Sequence, residues 1–200
     1  MNSVAKIRFF FITSLIGVVF FSCNPDEEFP PETILEWVGV TFFGDTTRLD
    51  SISLRIAYQD GDGNIGISRS ESGRPPFVGK FAHNFIVHPY NKINDTTYEI
   101  IKLQSLDSLK QPIHGVFDTI EFRHIIPPLP QTRTGAVRGT FDFMVPPGDF
   151  GLIRLDALQN LGIIRFKIYV YDRSLYLASV RTPDGQIHDG PLITPDIIIR

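Results

Sequence analysis

The residues best suited to chemistry in this chain are Asp60-Gly61-Asp62-Gly63-Asn64-Ile65-Gly66, running on through Ile67 and Ser68 to Glu71. Oxygen-bearing side chains alternate with glycines there, the composition of a tight turn wrapped around a hard cation. Laid on a twelve-residue calcium loop with Asp60 first, Asp62, Asn64, Gly66, Ser68 and Glu71 take positions 3, 5, 7, 9 and 12, which are the ligand positions. Two features depart from that pattern. Ile65 stands at position 6, where a glycine makes the sharp bend, and Ser70 to Pro76 cannot begin an exit helix. Calcium accepts irregular oxygen geometry and magnesium does not, so Ca2+ is the expected ion. Its expected ligands are Asp60, Asp62 and Asn64, followed by Gly66 and Glu71. The competing reading is a glycine-rich turn whose Asp and Asn side chains cap their own backbone amides.

Other constellations are thin. His83, His88, His114, His124 and His188 show no zinc spacing and no H-E-x-x-H pattern. No G-x-S-x-G elbow, phosphate loop or dinucleotide fingerprint occurs. Glu121 and Asp142 are carboxylates of the kind that act as acid and base in a glycosidase cleft, a chemistry that depends on their separation. Tyr169 and Tyr171 share a strand face with Arg165 and Lys167, a surface that suits a glycan or a protein unless another layer covers it.

The remaining chemical signal is Cys23, the only cysteine. A short basic region with Lys6 and Arg8 precedes thirteen mostly apolar residues, Phe9 to Phe21. That run is too short to cross a bilayer, which takes roughly 20 residues, and is the size of a secretory signal core. One cysteine in an exported chain makes no internal disulfide. Residues 1–22 therefore read as a signal peptide, 23–34 as a Pro-rich acidic tether, and 35–200 as the folded domain. Without Lys6 and Arg8 the balance is 17 basic against 22 acidic side chains, a net charge of −5. Such a domain has no electrostatic reason to bind nucleic acid or anionic lipid.

The elements that must position these residues follow a period of two. Ile52, Leu54, Ile56 and Tyr58 fall on one face of Asp50 to Tyr58; Val116, Ile120 and Phe122 on one face of Val116 to His124. Val137, Phe141, Phe143 and Val145 share a face, as do Ile164, Phe166, Ile168 and Val170. Further strands are expected over 36–43, 84–90, 96–103, 175–180 and 193–199, with Pro195 confining the last to an edge. Asn94-Asp95 and Thr182-Pro183-Asp184-Gly185 read as turns. A helix is expected only over 149–160. Short half-buried strands between turns predict an all-β fold, an antiparallel immunoglobulin-like β-sandwich, with an open barrel as the other architecture.

Phe20-Phe21-Ser22-Cys23 resembles a bacterial lipobox, although Phe stands where Leu and a small residue are usual. The resemblance implies cleavage before Cys23 and its diacylation, hence a membrane partner through a lipid anchor. The acidic run after it resembles the surface-export signal of Bacteroidota lipoproteins. An ordinary signal peptide is the alternative. The D-G-D-G-N-I-G loop, together with Ile168-Tyr169-Val170-Tyr171-Asp172-Arg173-Ser174, is similar to motifs of a large group of uncharacterised Bacteroidota lipoproteins. That implies an immunoglobulin-like domain of unknown activity; Asp172 becomes a further metal ligand if its strand ends beside the loop. The expectation is a cell-envelope, outer-membrane lipoprotein that is no enzyme. It serves as a binding or assembly module for a protein or glycan, steadied by calcium. The alternatives are an envelope hydrolase with carboxylates in a cleft and a structural spacer.

Overall fold

The computed structural model describes residues 29–44, 49–109, 111–128, 136–145 and 162–199. The signal segment, residues 23–28 of the tether with Cys23, and the helix expected over 149–160 lie outside the described residues. The strands are β1 (Ile34–Gly44), β2 (Leu49–Asp60), β3 (Phe85–Lys92), β4 (Tyr98–Ile100), β5 (Lys102–Leu106), β6 (Pro112–Thr119) and β7 (Phe122–His124). They continue with β8 (Val137–Val145), β9 (Ile163–Val170), β10 (Ser179–Arg181), β11 (Ile187–Asp189), β12 (Leu192–Ile193) and β13 (Ile197–Ile198). Among the described residues the only helical element is a single 3-10 turn, Gly79–Ala82.

Two sheets share one core. The first has the order β11-β10-β1-β2-β8; the second has β12-β9-β3-β4, with β13 also on β9 and β7 also on β3. Described pairings are antiparallel except β1 with β10, which run parallel through Ile34↔Ser179 and Leu35↔Val180. Alternation explains the layers. Ile52, Leu54 and Ile56 of β2 share one core with Ile164, Phe166, Ile168 and Val170 of β9, all fully buried, and with Phe85 and Phe143, whose rings meet at a tilt 5.1 Å apart. Each such side chain contributes about 1.5–3 kcal/mol by leaving water. The opposite face of β2 carries Arg55, paired with Asp142 of β8 at 2.8 Å.

Four expectations need correction. Val116 to His124 is not one strand: β6 and β5 form a separate two-stranded pair, and the chain returns to the core only at Ile120. Val116, expected inward, is therefore 46% exposed. The 96–103 strand divides at Ile101, and 193–199 divides into β12 and β13 around Pro195, which has no N–H to give the ladder. Only the end of 175–180 becomes strand β10, which turns through Thr182–Gly185 into an unanticipated hairpin with β11.

Candidate functional site

The acidic loop leaves the end of β2, and the local fold explains its glycines. Gly63 sits at φ 71°, in the left-handed region. A Cβ on Gly61 would lie 2.2 Å from the Pro30 carbonyl oxygen, and one on Gly66 2.3 Å from that of Pro127. Gly66 is thus a close-packing glycine, and Gly61 is where the incoming chain lies across the loop. Ile65 and Ile67 anchor the far side in the core, with Ile67 N–H donating to Ile126 O at 3.0 Å.

Asp60 is fully buried. Its Oδ2 accepts from Ile65 N–H at 2.8 Å, whereas Oδ1 receives no hydrogen bond. Burial first, and the neighbouring Asp62 second, push the Asp60 carboxyl up to about 6, with the Ile65 N–H pulling the other way. Asp62 is exposed and accepts from the Asn64 backbone at 3.2 Å and from Asn64 Nδ2 at 2.6 Å. That turns the Asn64 amide so that its Oδ1 is buried without a donor. Such an orphaned atom costs on the order of 1–3 kcal/mol. Thr33, 2% exposed, sets its hydroxyl beside Asp60, where its side-chain hydrogen bond also pulls that carboxyl down.

The second motif docks on this loop. Asp172 is 5% exposed, and burial is the main force raising its carboxyl above the ordinary range; backbone N–H groups of Tyr176 and Ser174 oppose this, and the Asp62 charge adds to it. The turn after it holds Leu175 at φ 67°, an uncommon conformation for a side chain of that size. Arg173 donates its backbone N–H to Asn64 O at 3.1 Å and Nη1 to Gly66 O at 3.2 Å. Its guanidinium also grips Glu71 with both amino groups. Arg173, then the Ser68 N–H, hold Glu71 down to about 2.

The expected ligand set therefore divides. Asp62 is hydrogen-bonded to Asn64, and its charge is felt by Asp60 and by Asp172, while Glu71 and the Gly66 carbonyl bond to Arg173 instead. Among the described residues, no three His, Cys, Asp or Glu side chains already converge as metal ligands. Thr33 and Asn84 escape sequence reading. Asn84, 2% exposed, donates to Ile65 O and accepts from Ile126 N–H, both at 2.8 Å, and its carbonyl accepts from Tyr171 N–H. A polar residue at a strand start is the only signal either could have left.

A cleft of about 440 Å3 opens between the edges of the two sheets. Trp37, Leu192 and Pro195 line it with Glu36, Arg165, Arg181 and His188. A bulge at Val38 turns Trp37 toward the core. Arg181 donates to Gln59 Oε1 at 3.0 Å and forms no ion pair among the described residues. From Arg165 outward, the second sheet's outer face interleaves cations with rings: Arg165 lies 4.0 Å from the Tyr98 ring and Lys167 4.6 Å from Tyr90, and His88 meets Tyr169 edge-on. Tyr169 and Tyr171 belong to this outer, half-buried face.

Glu121, in the link before β7, and Asp142 of β8 are each bound by an arginine, Arg123 at 2.7 Å and Arg55 at 2.8 Å. Compared with known proteins, the chain matches no family model, no curated protein and no solved structure.

Proposed function

We propose that this chain is a non-catalytic binding module of the bacterial cell envelope, anchored at the outer membrane through a diacylated Cys23, whose cleft takes an acidic saccharide. The cleft lining is the observation that carries the reading. Trp37 and Leu192 offer an apolar floor for a sugar ring, Arg181 a fork for a ring carboxylate, and Glu36 an acceptor for hydroxyls. Arg165 is held by Asp196, so Arg181, with no ion pair among the described residues, is the cation the cleft offers to an anion. A volume of about 440 Å3 falls within the roughly 300–1,000 Å3 of small-ligand sites.

The immunoglobulin-like reading is supported by strand order. β1-β2-β8 against β4-β3-β9-β12 follows the A-B-E and C′-C-F-G layers of such a sandwich. The lone cysteine at the end of a signal core supports the anchor. Changing Cys23→Ser is expected to release the chain from membranes; undiminished partitioning would remove the anchor from the proposal.

Trp37 is the only tryptophan, so its fluorescence reports on the cleft. Titrating the full-length chain with galacturonate oligomers is expected to give a saturable change in emission. Arg181→Ala is expected to weaken it at least tenfold, and neutral glucose oligomers to give none. Shortening of the oligomers during the titration would favour the hydrolase alternative. An unchanged Trp37 signal would leave the structural spacer.

A further inference from the structure

We infer, resting on that reading of the cleft, that the site continues over the outer face of the first sheet and takes a chain of sugar units rather than one. A second hollow of about 350 Å3 lies on that face, and it shares Glu36 and Arg181 with the cleft. Strand register shows how it forms. Arg181, Glu36, Ala57 and Thr140 stand side by side across β10, β1, β2 and β8. Ile34 and Gln59, two residues along their strands, make the next row on the same face. Ala57, half-buried between exposed Glu36 and Thr140, lowers the floor, and Ile34, 3% exposed, continues it.

A sugar ring has an apolar face and a fringe of hydroxyls, and this lining answers both. Ala57 and Ile34 meet the ring face, while Glu36 accepts from hydroxyls and Thr140 donates or accepts. Gln59 Oε1 takes a hydrogen bond from Arg181 at 3.0 Å, which leaves Nε2 as the donor of that side chain. The same bond carries the Arg181 side chain across β1 to β2, at the seam of the two hollows. A ligand carboxylate held on Arg181 therefore has Trp37 and Leu192 on one side and Ala57 on the other. One unit occupies the cleft, and the unit linked to it lies over Ala57.

The test is calorimetric titration of the full-length chain with galacturonic acid and with its linear dimer and trimer. A second unit linked to a bound first one makes its contact within the complex, so affinity is expected to rise at least about tenfold from monomer to trimer. Ala57→Leu fills the hollow from a half-buried position outside the cleft. It is expected to remove that rise while monomer affinity stays within about twofold of the native chain. Thr140→Ala, at an exposed position that folding tolerates, is expected to cut the rise about threefold. Affinity independent of length, or a rise that both variants leave intact, would overturn the continuation while the cleft reading stands. Absence of binding at every length would overturn both.

Discussion

Two aspartates at opposite margins of the molecule meet the same problem in opposite ways. Asp196, between β12 and β13, accepts from Lys92 Nζ at 2.8 Å, Tyr98 Oη at 2.6 Å and Arg165 Nε at 2.5 Å. Lys92 first, then Tyr98 and Arg165, hold it down to about 2. Asp60 is more deeply buried, has one backbone donor, and lies beside another carboxylate. One cluster neutralises its charge with side chains already present. The other sets one carboxylate beside another, with the Ile65 N–H and the Thr33 side chain as its donors. A carboxylate surrounded by cations ties strands together; one buried beside another carboxylate is held toward its protonated form.

The largest break in this contrast comes from truncation. Asp60→Ala removes the acceptor for Ile65 N–H inside the fold and is expected to cost about 2–4 kcal/mol in urea unfolding. Asp196→Ala, at a partly exposed cluster, is expected to cost about 1 kcal/mol. Equal losses would erase the distinction between the sites.

Acidification sharpens it. Asp60 is raised from 3.8 to about 6 by folding, so its ionisation opposes the native state, and its contribution improves as pH falls from 7 through 6 toward 4. Asp196 and Glu71 are lowered to about 2, so the stability they lend is present above their unfolded values and lost as pH falls from about 4 through 2. His88 and His124, lowered by burial, lose stability as pH falls over the same window. The Asp60 contribution is therefore read by difference: Asp60→Asn is expected to lose more stability than the native chain between pH 7 and pH 5 in urea unfolding, and both are expected to lose stability at pH 2.5. An equal change in the two chains from pH 7 to pH 5 would contradict the picture of Asp60. The smallest effect belongs to the turn that carries Asp172. Leu175→Gly relieves a left-handed residue and is expected to add about 0.5–1 kcal/mol, against a loss for Leu175→Val.

Much of the scaffold is legible in the residues because β2, β8 and β9 are each buried on one side, so their apolar positions alternate. Val116 misleads for the converse reason: β6 stands off the core, and alternation there records no burial. At the site, the residue types are legible and the partnerships are not. Glu71 fits a calcium loop in spacing, yet Arg173, 102 residues later, captures it. Asp172 feels the Asp62 charge only because the turn after β9 docks on the loop through Arg173. Thr33 and Asn84 act through neighbours distant in the chain, which no local pattern encodes.

Gly61 carries a consequence for how the molecule stands. With Phe29 and Pro30 laid across it, only Asn24 to Glu28 separate the fold from Cys23. Fully stretched, those steps reach about 20 Å. An acylated Cys23 would leash the domain by its acidic end, within that distance of the lipid headgroups. Anionic headgroups would push this end away and hold the domain upright.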